Sequence, residues 1–242
     1  MNPRNADLEK AKKNAALEAI KHVRNGFVVG LGSGSTGAYA IEGLGKRIKQ
    51  ERLRVLAVPT SYQAFMLAVT HGIQITTLDE HPTLDLAIDG ADQIDRNLDL
   101  IKGMGGALTR EKIVASASKS FMIIADESKK AKVLGEKNHS VPLEVAPFAA
   151  KPVMLKIQKM GGHPVLREAT GKVGPVITDN GNVILDANFG PIEDPSKLAS
   201  ELKTVSGIFE TGLFLDMANI AYIGKNVGVE RIERQRTHNL SI

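Results

Sequence analysis

Two acids three residues apart, Asp89 and Asp92, stand in the stretch "DGADQID" (89–95), and a lysine and a glutamate, Lys102 and Glu111, bracket the glycine-rich stretch "KGMGGALTRE" (102–111). Acids so spaced on a loop suit hydrogen bonding to sugar hydroxyls or moving a proton between oxygens. Lys102 precedes a glycine loop whose backbone N–H groups could stabilise a developing oxyanion. Glu111, early in the following helix, could serve as the base at a carbon acid: burial would raise its pKa toward the working range, while nearby lysines would hold it down. Each residue also has a plainer reading. An Asp at a strand end can be a turn former, because Asp-Gly favours tight turns, and this is the expected role of Asp95. A glutamate in a first helical turn can simply cap it.

A third stretch, "VVGLGSGSTGAYA" (28–40), contains Gly32, Gly34 and Gly37 in the G-x-G-x-x-G spacing of a dinucleotide-binding loop. A nicotinamide site also needs an acidic residue at the end of the second strand, to hold the ribose hydroxyls. That strand ends "AVPTSYQ", with no carboxylate, and the G-x-x-x-x-G-K-[ST] signature is missing as well. What remains is an anion loop: Ser33, Ser35 and Thr36 supply hydroxyls, Gly34 lets the backbone approach closely, and the helix N-terminus that follows favours negative charge. A single phosphate monoester fits better than a pyrophosphate. The alternative is a plain helix start capped by Ser35 or Thr36. There is no cysteine, and the histidines at 22, 71, 81, 139, 163 and 238 form no i, i+3 or i, i+4 pair, so neither a thiolate site nor a histidine metal site is expected. A Ser-His-Asp triad lacks its G-x-S-x-G elbow.

The elements that must carry these residues alternate. A helix is expected over residues 7–24, stopped by Asn25-Gly26, then a strand at "FVVGLG" and a helix from Thr36 to about Glu51. "RVLAVP" (strand), "SYQAFMLAVTHG" (helix), "IQITTL" (strand) and "LDLAIDGAD" (strand into a turn) follow, and "FMIIAD" is a further strand after the helix that contains Glu111. Strands apolar throughout and separated by helices indicate an α/β fold, a Rossmann-like, mostly parallel sheet with helices on both faces. Ligands collect at the carboxyl ends of such strands, where residues 30–37, 89–95, 102–106 and 126–130 are expected to fall. From about Val133 the texture changes. Residues 133–206 read as a smaller α+β (ferredoxin-like) domain, a lid or oligomerisation element, with a hairpin at Asn180-Gly181 and a helix from Pro195 to Val205. Residues 1–132 and 207–242 then form the larger, catalytic domain.

With 242 residues, 43% hydrophobic and 24% charged, the chain is an ordinary globular one able to bury a core. The net charge of +4 favours an anionic partner, but with no tryptophan and 4% aromatics a nucleic-acid stacking surface is not expected. The N-terminus has no secretory apolar region and no window approaches the roughly 18 apolar residues of a membrane span, so a cytoplasmic protein without membrane contact is the expectation.

The stretches "GLGSGST" (30–36), "DGADQID" (89–95), "KGMGGALTREKIVA" (102–115), "IADESK" (124–129) and "VITDNGNVILD" (176–186) together resemble the type A ribose-5-phosphate isomerase family. The resemblance implies interconversion of D-ribose 5-phosphate and D-ribulose 5-phosphate in the pentose phosphate pathway without metal or organic cofactor, by a homodimer. Carried over by motif, Glu111 is the general base working through an enediolate, Lys102 and the amides of Gly103, Met104 and Gly105 stabilise the enediolate oxygen, and Asp89 assists ring opening or shuttles the hydroxyl proton. Asp92, with Gly90 and Ala91, binds sugar hydroxyls; Ser33, Gly34, Ser35 and Thr36 contact substrate, with positive charge from Lys129 and Lys12. Ser33 stands where threonine is frequent, and Met104 interrupts a glycine run; were φ positive at 104, methionine would be strained there. A non-catalytic sugar-phosphate sensor of the same fold is the alternative.

Overall fold

Alanines at 15, 16 and 19 give the first helix, α1 (Pro3–Ala19), a fully buried small-residue face, and Gly26, at φ +85°, turns the chain after it. The computed structural model describes residues 3–235; the end of the expected larger domain, with His238, lies outside them. The elements that follow are β1 (Val28–Leu31), α2 (Gly34–Glu51), β2 (Leu56–Pro59), α3 (Tyr62–Thr70), β3 (Gln74–Ile75), β4 (Leu86–Asp89), β5 (Gln93–Ile94), β6 (Leu100–Ile101), α4 (Leu108–Ser116) and β7 (Phe121–Asp126). Then come β8 (Val141–Val145), α5 (Ala150–Lys159), β9 (His163–Leu166), β10 (Val183–Asn188), α6 (Pro195–Lys203), β11 (Ile208–Thr211), β12 (Leu213–Phe214), β13 (Ile220–Gly224) and β14 (Val229–Glu233).

Seven strands form the main sheet in the order β14-β13-β7-β4-β1-β2-β3, parallel except for β14. The uniform apolarity of its strands follows from their period of two between two covered faces. Val29, Leu31, Leu86 and Ile88 pack with α1, α2 and α3 on one face, while Val28, Ala87, Phe121 and Ile123 pack with α4 on the other. Gly30 lets α4 come close, since a side chain there would run into Val114. From β1 the chain winds outward through β2 and β3, then returns to the other side of β1 as β4. The carboxyl ends of β1 and β4 therefore flank a topological switch point, where such sheets open a crevice.

The smaller sheet has the order β11-β8-β10-β9, antiparallel throughout, with α5 and α6 as its helices and a separate core around Leu143, Val153 and Leu185. A β-α-β-β-α-β sequence in this strand order is the ferredoxin-like arrangement. Three differences from the sequence reading stand out. The expected boundary at residue 206 precedes β11, which pairs with β8, so the smaller sheet runs on to Thr211. Residues 102–106 do not follow a strand of the main sheet: β6 belongs to a small antiparallel sheet, β12-β6-β5, which brings Lys102 beside Phe214. The hairpin expected at Asn180-Gly181 is reduced on its first side to isolated bridges, Pro175 to Glu168 and Ile177 to Val183, and its turn is wider than two residues: Gly181, at φ +79°, and Thr178 close it.

Candidate active site

β4 ends on Asp89, and the tight turn after β1 lies directly against it. A side chain at Gly32 would run into Asp89, and one at Gly37 would meet the Gly32 carbonyl at 2.7 Å. These two glycines are therefore needed for packing, and Gly34, at φ +88°, for the turn itself. Asp89 Oδ1 accepts from the amides of Gly90 (2.7 Å) and Ser33 (3.2 Å), so one carboxyl oxygen staples the two strand ends together.

The other carboxyl oxygen, Oδ2, lies 3.0 Å from Lys102 Nζ, and Glu111 Oε2 lies 3.2 Å from the same nitrogen. Lys102 also donates to the Gly90 carbonyl at 2.7 Å and lies 5.4 Å from the Phe214 ring centroid. All three charged groups are buried, at 2%, 2% and 6% exposure for Asp89, Lys102 and Glu111. Two acids facing one ammonium, away from water, cannot all ionise cheaply. Burial first, and then the charge of Asp89, pushes Glu111 up to about 8 against the pull of Lys102. Burial likewise raises Asp89 against Lys102. Lys102 is held above its ordinary value: burial alone would lower it, but Asp89, Glu111 and Asp92 outweigh that. Three buried groups thus compete for protons, and both carboxyls are pushed above their ordinary range.

α4 holds Glu111 in place through its neighbours. Arg110 donates to Asn180 Oδ1 (2.7 Å) and the Asp179 carbonyl (2.8 Å), and Lys112 donates to Glu210 (2.9 Å) and the Thr211 carbonyl (2.6 Å). Both anchors lie on the smaller unit. Glu111 itself caps nothing; its side chain turns inward to Lys102.

One cavity gathers Lys12, Ser33, Gly34, Ser35, Thr36, Gly90, Ala91, Asp92, Lys102, Gly103, Gly105, Glu111 and Lys129. Of the residues expected at the site, Asp89 and Met104 do not line it. Asp89 sits behind Lys102, and the Met104 side chain is exposed while its amide donates to Asp92 Oδ2 at 2.9 Å. Positive φ falls at Gly103 (+113°) and Gly106 (+77°) and not at Met104, so methionine there is unstrained. Ser33 is the residue before the first turn of α2, but its hydroxyl does not cap it; it donates to Ser61 Oγ at 2.6 Å and lies 2.8 Å from Thr60 Oγ1. Lys12 Nζ reaches Ser35 Oγ at 3.3 Å and Glu9 at 2.7 Å. Asp95 is a turn former as expected, accepting from the amides of Asn97 and Asp99. Among the described residues, no group of three or more His, Asp or Glu is placed to hold a metal ion.

Residues 56–228 match the family model of ribose 5-phosphate isomerase A (phosphoriboisomerase A). The chain belongs to this family. It is 50% identical to ribose-5-phosphate isomerase A of Methanosarcina acetivorans over 98% of this chain and 100% of the relative, and 47% identical to the Homo sapiens ribose-5-phosphate isomerase over 91% of this chain and 72% of that protein. The fold matches the solved ribose 5-phosphate isomerase A of Methanocaldococcus jannaschii with a TM-score of 0.89 at 44% identity, covering 93% of this chain and 99% of that one. A D-ribose-5-phosphate isomerase in complex with phospho-erythronic acid matches with a TM-score of 0.91 at 44% identity, covering 94% of this chain and all of that one.

Several residues that shape this isomerase site escaped the sequence reading. Thr60 and Ser61 take the Ser33 hydroxyl, and Gln63 Oε1 accepts the Gly34 amide at 2.8 Å. Their stretch, "AVPTSYQ", lacks the acid of a nicotinamide site, but its polar run at the end of a strand next to the switch point is a signal for a site wall. Arg167 and Asp179 reach the site's loops from the smaller unit; nothing in the local sequence marks Arg167, and Asp179 is marked only by lying in the stretch "VITDNGNVILD". Asp179 accepts from the Tyr62 amide at 2.7 Å, at the start of α3.

Proposed function

We propose that the chain interconverts D-ribose 5-phosphate and D-ribulose 5-phosphate in the pentose phosphate pathway, with Glu111 as the base. The observation that carries this reading is the buried Glu111–Lys102–Asp89 cluster opening into the cavity that also holds the loop 33–36. With the sugar open, the Glu111 carboxylate takes the C2 proton, and the electron pair moves into a C1=C2 bond as charge passes to O1. The same carboxyl returns the proton at C1 while a hydroxyl proton moves from O2 to O1. Lys102 and the Gly105 amide stabilise the anionic enediolate oxygen, while the Met104 amide is held by Asp92. Asp92, with Gly90 and Ala91 beside it, takes sugar hydroxyls.

At the other end of the cavity, Ser35 and Thr36 offer hydroxyls and first-turn amides of α2, which no preceding turn can satisfy, Gly34 lets the backbone approach closely with its own amide held by Gln63, and Lys12 and Lys129 add positive charge for the phosphate. Ser33 also lines the cavity and contacts substrate, its hydroxyl oriented by Thr60 and Ser61. Asp89, one layer back, acts on the proton balance of Glu111 and Lys102. No metal or organic cofactor is required by these roles. We further assign residues 133–211 as a smaller unit that closes the site or builds a cytoplasmic homodimer. Its exposed Phe148, Val165 and Phe209 support the second role, and the mass in solution checks it.

Incubation with ribose 5-phosphate in deuterated water, with a chelator and no added cofactor, tests the reaction. Deuterium should enter C1 as the ketose forms. Binding without exchange would instead mark a sugar-phosphate sensor, and turnover only with added nicotinamide would overturn the isomerase reading.

A further inference from the structure

The glycine loop that must meet the enediolate is gripped from outside the larger sheet. Arg167 follows β9 of the smaller sheet, with its side chain 14% exposed. Its Nε donates to Asp186 Oδ2 at 2.8 Å, and a second nitrogen pairs with Asp186 Oδ1. The third nitrogen donates to two carbonyls in the loop, Gly103 at 2.8 Å and Met104 at 2.9 Å.

These two contacts fix where the loop's amides point. In a trans peptide the N–H is directed opposite to the C=O. With the Gly103 carbonyl on Arg167, the Met104 N–H must leave on the far side, and there it reaches Asp92 Oδ2, on the cavity, at 2.9 Å. The Met104 carbonyl sits on the same guanidinium nitrogen, so the Gly105 N–H leaves on that same cavity side. Among the described residues, no protein acceptor takes it. Successive N–H groups turned to one side form a concavity suited to an anionic oxygen.

We propose that Arg167 is a positioning residue for the isomerase reaction: it holds two carbonyls back so that the Gly105 N–H, beside Lys102, is aimed at the enediolate oxygen. Only a guanidinium can do this, because it grips a carboxylate with two nitrogens while the third serves the carbonyls. Asp186 fixes the side chain's orientation by the paired contact. The inference rests on the isomerase reading above.

Steady-state kinetics with ribose 5-phosphate and binding of phospho-erythronic acid, compared between wild type, R167M, R167K and D186N, test it. That acid carries a planar carboxylate, which resembles an enediolate in charge and shape. R167M should lower kcat by about tenfold to a hundredfold, a misaimed donor costing less than the deletion of one. Its KM should stay within about threefold, because the phosphate contacts are untouched and the Asp92 carboxylate remains in place for the hydroxyls, while affinity for phospho-erythronic acid falls along with kcat. R167K should recover part of the loss, and D186N should shift the same quantities by less. Wild-type turnover tests the isomerase reading by itself. If wild type turns over and R167M keeps kcat within about twofold, or loses KM in the same proportion as kcat, Arg167 has no positioning role. Should R167M fail to fold, the same comparison on R167K, which keeps charge and length, decides.

Discussion

Two glutamates are buried among the described residues, Glu111 and Glu144, and their surroundings differ. Glu111 faces an ammonium and a second carboxyl at 6% exposure, in a cavity open to substrate. Glu144, at 0% exposure on β8, faces only neutral donors: Thr178 Oγ1 at 2.8 Å, Asn180 Nδ2 at 3.0 Å and Asn182 Nδ2 at 2.8 Å, all on Oε1. Among the described residues, Glu144 Oε2 has no hydrogen bond, and Glu111 Oε2, the oxygen 3.2 Å from Lys102 Nζ, has that ion pair but no hydrogen bond. Around Glu144 the donors fix a hairpin. Around Glu111, among the described residues, the near charged partner is a cation shared with Asp89, so two carboxyls compete for one ammonium. Burial alone does not make a base; burial beside charges that compete for one proton does.

The largest test of that contrast is E111Q. The amide keeps the size and polarity of the side chain but cannot take a proton from carbon, so kcat should fall by roughly a thousandfold or more, within the span of general-base effects. Binding of phospho-erythronic acid, followed by calorimetry, should survive. Near-wild-type turnover would remove Glu111 from the base role and place it beside Glu144 as a structural acid.

A smaller effect, with a definite sign, comes from D89N. The working base is the ionised form of Glu111, whose pKa in the free protein is pushed up to about 8 by burial and then by Asp89. The acid limb of kcat/KM in wild type should therefore rise with pH through about 8. Removing the charge of Asp89 takes away the second of these causes while leaving Lys102, so the limb should move to lower pH. A limb that stays in place or moves upward would mean that Asp89 does not set the proton balance of the cluster. Stability carries the same signature. Folded Glu111 holds a proton that the unfolded chain, at the ordinary value of 4.5, releases. Its contribution is present below pH 4.5 and is lost as pH rises through about 8. E111Q should flatten that part of the stability profile.

The larger sheet and the cluster were legible in the sequence for one reason. Uniformly apolar strands, a glycine turn and acids at strand ends are local patterns, and the switch point then brings Asp89, Lys102 and Glu111 together. What escaped was set by contacts distant in sequence. Arg167 meets Gly103 only because the smaller sheet packs on the loop; Ser33 spends its hydroxyl on Thr60 and Ser61 because β2 lies beside β1. The G-x-G-x-x-G spacing likewise follows from packing: Gly32 clears Asp89, and Gly37 clears Gly32. Met104 was read as a possible strain, but the turn places its positive φ at Gly103 and Gly106 on either side. No single-residue pattern reports that.

The smallest expected effect is on the other side of the comparison. E144Q leaves an oxygen for Thr178, Asn180 and Asn182, but in weaker, uncharged form, and puts an NH2 group where Glu144 Oε2 now has no partner. Burying donors that find no acceptor costs about 1–3 kcal/mol, which a urea titration would read as a lowered midpoint with unchanged slope. The hairpin's Asn180 also accepts from Arg110, the residue before Glu111, so a loosened hairpin reaches the base by one side chain. That route runs through a rigid helix also anchored by Lys112, and kcat well below the melting temperature should change by less than about threefold. Loss of activity comparable to E111Q, with stability intact, would break the division: the Glu144 hairpin would then belong to the reaction, and the two buried glutamates would differ in surroundings but not in kind.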